Sequence, residues 1–408
     1  MSMITNPPFP NNYSKEFLVL DHGKGSYVYD TEGKRYLDLG GGIAVTSFGH
    51  GNEAILKAAV KQMKRLVHVS NLYTTQPTLD LAQRLTTASP LPEDQPWSPK
   101  MPRSYFSAVH FGNSGTEANE AALKYARVYA QRKTKSNGPK ILAFKNGFHG
   151  RTLGALAVTY TPKYREPYEP LMGGVEFLDF NDAAGVRKSL SRDFCAVIVE
   201  PVQGEGGLTP MSSDFVRALE ETCKKHDVLI IADEVQTGLG RLGTLFASQM
   251  IGLTPDIITL AKPLAGGLPL SATLLPEKIN SLVHTGDHGT TFGGGPVTTS
   301  AGIAVWDILN KPGFLTKVQK KAITFKVALE DLVENSPHLV SVKGLGMLRG
   351  VEMKEGERIP ALLQRAREEG LLLLRSGTNV LRMAPALTIK KEELYDGIRI
   401  LRRILEEL

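Results

Sequence analysis

The sequence has little cysteine and no long apolar run. Only Cys195 and Cys223 occur among 408 residues. That excludes a disulfide framework and a cysteine-built zinc site, and it fits a reducing compartment. No apolar stretch reaches the ~20 residues that a membrane-spanning helix needs. The nine histidines show no metal-ligand spacing. His110 and His226 read as structural or surface residues, and His149 stands out only for its neighbours Phe148 and Gly150. There is no internal repeat and no low-complexity tract. Residues 1–13 are polar and rich in Pro and Asn. They lack the apolar core of a signal peptide and the basic helix of a transit peptide, so a cytoplasmic protein is expected.

Charge of one sign is also scarce. The 48 basic residues exceed the 42 acidic ones by six, and the excess is spread out. Its densest pairs, Lys224-Lys225 and Arg402-Arg403, have acids nearby and read as solvated helix faces. This leaves room for small anionic ligands. It gives no motif for nucleic acid and no membrane partner.

What is present is an ordinary globular composition, 42% hydrophobic and 22% charged, in a chain long enough for two domains. Residues 1–20 read as an arm. Residues 26–30 and 35–39 flank a turn and read as a hairpin. Helical spacing follows over 52–65 and 79–87, and five prolines in 90–102 mark a surface loop. From residue 105 strands and helices alternate. Strands are expected at 108–111, 140–144, 155–159, 195–199, 228–232, 256–260 and 272–275, with helices at 117–131 and 214–226. Such alternation predicts an α/β fold, with a mostly parallel sheet covered by helices on both faces. Ligands in these folds sit beyond the carboxyl ends of the strands. The composition changes near 296–312. Helices at 297–310 and 314–333, strands within 340–352 and at 371–374 and 380–383, and an amphipathic terminal helix predict a smaller α+β domain. The expected division is an arm and hairpin over 1–50 that joins the small domain, a large domain over 51–300 and a small domain over 301–408.

Three stretches carry chemistry. Residues 257–261 deliver Lys262 from an apolar run into a segment rich in Gly and Pro. A desolvated lysine amine is a nucleophile towards an aldehyde; the bland alternative is a strand-end lysine that snorkels to water. Asn113-Ser114-Gly115-Thr116-Glu117 joins a strand to a helix and offers free backbone N–H groups to an anion. It equally suits a simple helix cap. Leu229-Ile230-Ile231-Ala232-Asp233-Glu234 ends an apolar strand in two acids. A P-loop nucleotidase is excluded because no Gly-x-x-x-x-Gly-Lys-Ser/Thr occurs. Gly238-Leu239-Gly240-Arg241-Leu242-Gly243 fits a dinucleotide fingerprint, but five residues separate it from the strand that should precede it directly. An anion cradle, a carboxylate and a lysine together suit pyridoxal phosphate, the electron sink for amino-acid carbanions. Lys262 takes the aldehyde, Asp233 keeps the ring nitrogen protonated, and Phe148 is a candidate for the flat apolar cover.

The chain resembles the class III pyridoxal-phosphate aminotransferases of fold type I from about Tyr27 to the C-terminus. Within that family it is most similar to the members acting on N-acetylornithine. The shared motifs are Asn-Ser-Gly-Thr-Glu-Ala-Asn at 113–119, Phe-His-Gly-Arg-Thr at 148–152 and Glu-Pro-Val-Gln-Gly-Glu-Gly-Gly at 200–207. Further on come Asp-Glu-Val-Gln-Thr-Gly at 233–238, Ala-Lys at 261–262, Gly-Thr-Thr-Phe-Gly-Gly at 289–294 and Leu-Arg-Met-Ala-Pro at 381–385.

The resemblance implies that Gly115 and Thr116 bind the cofactor phosphate and that Phe148 stacks on the ring. Asp233 matches the ring-nitrogen partner, Val235 and Gln236 lie against the ring and its hydroxyl, and Lys262 matches the Schiff-base lysine. Thr291 matches a threonine that reaches the phosphate from a neighbouring subunit, which implies a homodimer with shared sites. Thr290 and Arg151 match substrate-contacting positions, Arg151 holding a carboxylate. Glu205 and Arg382 match a pair in which the glutamate covers the arginine and swings away. The physical reason is that one substrate brings no carboxylate beside its reacting carbon, whereas the other, 2-oxoglutarate, does. A fixed structural ion pair is the alternative. The implied reaction is transfer of the δ-amino group of N-acetylornithine to 2-oxoglutarate. Succinylornithine, ornithine or 4-aminobutyrate are alternative donors, and an idle binding protein on the same fold is the alternative of another class. Two departures are Pro263, where the family has a small residue, and Gly295, where it often has asparagine. Pro263 is expected to bias Lys262 towards extended backbone.

Overall fold

The computed structural model describes residues 2–14, 16–89, 105–134 and 140–408. The proline-rich loop expected at 90–102 lies outside the described residues. The largest sheet has seven strands in the order Ala108–Gly112, Ser271–Leu275, Ile257–Leu260, Leu229–Asp233, Phe194–Val199, Lys140–Phe144 and Val175–Leu178. Ser271–Leu275 runs antiparallel to both neighbours, and the other pairs are parallel.

The central strands are apolar without alternation, as Phe-Cys-Ala-Val-Ile-Val and Leu-Ile-Ile-Ala show, because both faces are covered. Val197, Ile230, Ala232 and Ile258 enter one core, with Phe215 and Leu219 of helix Ser213–His226 and Val305 of helix Pro296–Leu309. Ala196, Ile198, Leu229 and Ile231 enter the opposite core, with Ala122 and Ala126 of helix Gly115–Tyr129. Helix Ser213–His226 starts where Ser212 Oγ accepts from Phe215 N, and it stops at Asp227 in the left-handed region (φ 57°). A cap of this kind is worth ~1 kcal/mol.

Two four-stranded sheets form the remainder. One is antiparallel, in the order Leu339–Leu345, Leu348–Met353, Val380–Met383 and Leu374–Ser376. The other joins Leu371–Leu372 to Arg35–Asp38, Tyr27–Asp30 and Leu20–Lys24, so the N-terminal hairpin pairs with a strand more than 300 residues away. Both rest on a core shared with helix Lys391–Glu406, which buries Leu394, Ile398, Leu401 and Leu405 along one face at helical spacing. Among the described residues no helix is long and apolar enough to cross a membrane.

Two local expectations change. The strand expected at 155–159 is a helix, Leu153–Ala157. The β-branched Val158 and Thr159 suggest a strand, but the preceding Leu and Ala residues favour a helix, and Thr159 Oγ donates back to Ala155 O. The extended backbone expected at Lys262 is a 3₁₀ turn, Lys262–Ala265. Pro263 stands in its first turn, where no intrahelical partner exists for an N–H, so the missing donor costs nothing. Leu264 N closes the turn on Ala261 O at 2.6 Å.

Candidate active site

The carboxyl ends of the parallel strands converge on one cavity of about 400 Å³. After Ala108–Gly112 comes the turn bearing Gly115 and Thr116. Phe148 follows Lys140–Phe144, Glu200 follows Phe194–Val199, Asp233 ends its strand, and Lys262 follows Ile257–Leu260. All of these residues line the cavity, as do Val235, Gln236 and Arg151. Parallel strands place their loops on one edge, so residues up to 150 positions apart meet there.

Ser114 holds the N-cap position of helix Gly115–Tyr129, but its hydroxyl does not cap it. It donates instead to Glu117 Oε2 at 2.7 Å, and Glu117 also accepts from Asn113 N at 3.0 Å. The first-turn N–H groups are therefore without a side-chain cap on the cavity side, the state that suits an anion. Glycine is required at 115: a Cβ there would lie 2.6 Å from Val235 Cγ1. Thr116 Oγ accepts from Arg151 N and Thr152 N at 3.2 and 3.3 Å, tying the helix start to the loop beyond Phe148.

Asp233 is buried and fully held. Its Oδ2 accepts from Asn119 Nδ2 at 2.8 Å and from His149 Nδ1 at 2.7 Å, and its Oδ1 accepts from Val235 N at 3.1 Å. A carboxylate only accepts, so Nδ1 of His149 carries the proton. Asn119 is fixed in turn: it donates to His149 O at 2.7 Å and accepts from Thr259 Oγ at 2.8 Å. Neither Asn119 nor His149 is singled out by the sequence as a site residue. The signals were present in a lone polar residue within the alanine-rich face of a helix and in a histidine between Phe148 and Gly150.

The Lys262 side chain looks into the cavity. Desolvation, then the Arg382 charge, lower its pKa to about 8, while Glu205, Asp233 and Glu200 pull the other way. The amine thus gives up its proton far more readily than an ordinary lysine. Glu200, also not singled out, is buried, and burial pushes its carboxyl above the usual carboxylate range although His149 opposes the shift. Glu234, beside Asp233, turns away: it accepts from Ala247 N, Ser248 N and Ser248 Oγ, and its role is structural.

Arg382 comes from the antiparallel sheet. Its Nη1 lies 2.5 Å from Glu205 Oε1, 2.9 Å from Gly204 O and 3.4 Å from Gln236 Oε1. Arg382 is buried, whereas the Glu205 side chain is 34% exposed. Arg151 stacks its guanidinium on Tyr164, 3.5 Å from the ring centroid, and among the described residues no carboxylate pairs with it. Thr290 and Thr291 are not brought to this cavity. Thr291 lines a separate recess with Asn71 and Phe292, and Asn71 Nδ2 donates to Thr290 O at 2.7 Å.

These residues fit pyridoxal phosphate. An uncapped helix start suits the phosphate, the held carboxylate suits a protonated ring nitrogen, Val235 and Phe148 offer apolar walls, and a desolvated amine suits the aldehyde.

The comparisons agree. The family model for class-III aminotransferases matches residues 9–405. A mitochondrial acetylornithine aminotransferase of Alnus glutinosa is 42% identical, covering 97% of this chain and 85% of its own. An acetylornithine aminotransferase of Neisseria meningitidis serogroup B is 39% identical, covering 97% and 96%. Among solved structures, the N-acetylornithine aminotransferase of Stenotrophomonas maltophilia superposes with a TM-score of 0.82 at 31% identity, covering 97% of each chain. The ornithine aminotransferase of Toxoplasma gondii reaches a TM-score of 0.90 at 26% identity, covering 98% and 93%. With nearly its whole length matched and a site suited to pyridoxal phosphate, the chain belongs to the class-III aminotransferases.

Proposed function

We propose that this protein moves the δ-amino group of N2-acetyl-L-ornithine to 2-oxoglutarate, giving N-acetyl-L-glutamate 5-semialdehyde and L-glutamate. The observation that carries the reading is the pair Arg382–Glu205, which adjoins the cavity through Gln236, one partner buried and the other about one-third exposed. An ω-amine brings no carboxylate to its reacting carbon, so a bare arginine there is costly and Glu205 covers it. 2-Oxoglutarate brings that carboxylate itself, and Glu205 is exposed enough to leave. The names of the relatives point to the same donor.

When bound, pyridoxal phosphate supplies an aldehyde for amino groups and a ring that stabilises a carbanion. Gly115 and Thr116 offer N–H groups to its phosphate. Asp233, held by His149 and Asn119, keeps a proton on its ring nitrogen. Phe148 and Val235, which line the cavity, would exclude water from its ring, and Gln236 would hold its ring hydroxyl. Lys262 takes a proton from the substrate carbon and returns one as general acid. Arg151, which has no carboxylate partner among the described residues, holds the substrate's far carboxylate.

We further propose a homodimer with shared sites. Leu56, Val60, Met63, Leu72, Tyr73 and Phe292 are exposed and apolar, a combination that marks an interface. Thr291 lies beside Phe292, away from its own cavity, which suits a contribution to a partner's site. Mixing Lys262→Ala and Thr291→Ala subunits should then restore one intact site per mixed dimer; no recovery would remove the shared site. We place the seam between the large and small domains at the end of helix Pro296–Leu309 rather than at 300, since that helix packs in the large core. The buried Cys195 and Cys223 are not joined in a disulfide, which supports a cytoplasmic setting.

One panel tests the donor: N-acetylornithine, N-succinylornithine, ornithine and 4-aminobutyrate, each with 2-oxoglutarate. The highest kcat/KM is expected for N-acetylornithine. A higher value for ornithine or 4-aminobutyrate would overturn the named reaction and leave the family intact.

A further inference from the structure

Glu200 is the first residue beyond strand Phe194–Val199, lines the cavity, and has no part in the mechanism above. Its two oxygens serve two different loops. Oε1 accepts from Phe148 N at 2.9 Å, and Oε2 accepts from Gly204 N at 2.8 Å. The first loop carries the ring cover. The second residue directly precedes Glu205. Gly204 is held on its other side as well, where its carbonyl accepts from Arg382 Nη1 at 2.9 Å and from Ser376 Oγ at 2.7 Å. One chain of contacts therefore runs from Phe148 through Glu200 and Gly204 to Arg382.

Chemistry explains why an acid stands here. Two backbone donors converge on one side chain, and only a carboxylate presents an acceptor to each. A glutamine would turn its NH₂ towards one of the N–H groups. A buried carboxylate is expensive, and a residue that merely filled space would be apolar.

We propose that Glu200 is a positioning residue that sets the Phe148 cover and the Glu205 gate together, and so governs how the enzyme divides its efficiency between its two half-reactions. This rests on the reading of Glu205 as a gate. Loss of the bond to Gly204 N leaves the 200–205 turn held only from its Arg382 and Ser376 side, and Glu205 then covers Arg382 less well. The amine-donor half-reaction, which needs Arg382 covered, suffers more than the 2-oxoglutarate half-reaction, which needs it bare.

The test uses the full-length holoenzyme with Glu200→Gln, Glu205→Gln and the double variant. Each half-reaction is followed in single turnover, and the visible circular dichroism of the bound cofactor is recorded. Glu200→Gln is expected to shift the ratio of the two efficiencies towards 2-oxoglutarate by about tenfold, the scale of one hydrogen bond to a charged group. The dichroism should change as Phe148 moves. The double variant should shift the ratio no further than Glu205→Gln alone, since coupled residues are not additive. If Glu205→Gln shifts the ratio and Glu200→Gln holds it within about twofold, Glu200 is merely structural and the gate stands. If neither shifts it, the gate and the proposal fail together. Should Glu200→Gln not fold, Glu200→Asp keeps the charge but is one methylene short of spanning both loops, and the same shift is expected of it.

Discussion

His149 Nδ1 donates to Asp233 Oδ2 across 2.7 Å, with both side chains buried. Removing the imidazole leaves a desolvated carboxylate with one donor fewer. His149→Phe should weaken pyridoxal phosphate binding by about 10- to 150-fold, the ~1.5–3 kcal/mol of a hydrogen bond to a charged group. Fluorescence titration of the apoprotein measures this, and an unchanged Kd would deny His149 its part in holding Asp233.

Lys262→Ala should lower turnover by at least about 10²-fold, the smaller end of what a positioned general base supplies. The pH dependence follows from the direction of the shift. Only the neutral amine attacks, and its pKa falls from 10.5 to about 8. Capture of pyridoxal phosphate by the wild-type apoprotein should therefore climb below pH 8 and level off above it. Stopped-flow absorbance checks this, and a rate still rising steeply towards pH 10 would mean the amine is not desolvated.

Glu205→Ala leaves Arg382 bare in a buried setting. Efficiency with ω-amines should fall while glutamate becomes relatively favoured. A panel of donors in both directions measures the ratio. An unchanged preference would make the pair a fixed ion pair.

Arg241 is fully buried, and among the described residues no carboxylate faces it. Burial lowers its pKa to about 9. Its guanidinium donates to Pro385 O at 2.6 Å, Met347 O at 3.2 Å and Ser47 Oγ at 2.7 Å, joining three distant segments. Arg241→Met should destabilise the fold by ~1–3 kcal/mol through the acceptors left unpaired. Urea unfolding provides the check, and equal stability would show that these carbonyls find other donors.

The glycine pattern around Arg241 looks like a dinucleotide fingerprint in the sequence, and the structure shows instead a packing joint among the segments of Ser47, Met347 and Pro385. The difference is one of distance along the chain. Asp233 and Lys262 were legible because each ends an apolar run, where a charge has no bland neighbourhood to hide in. Gly115 and Thr116 were legible from a small-residue turn before a helix. His149 meets Asp233 across 84 residues and Asn119 meets it across 114, and no local pattern predicts such pairings. Glu200 opens the motif at 200–207, yet the role proposed for it depends on two backbone N–H groups that only the folded loops bring together. Strand against helix failed at 155–157 for a related reason, since short apolar runs carry little periodicity.

The contact between Gly115 and Val235 bears on redesign. The start of helix Gly115–Tyr129, proposed as the phosphate cradle, and the Val235 side chain press together there with no room for a Cβ. A library that varies residue 115 alone will return mostly dead variants. One that trims Val235 alone will loosen the cradle it supports. Efforts to admit bulkier amines have to vary both positions together.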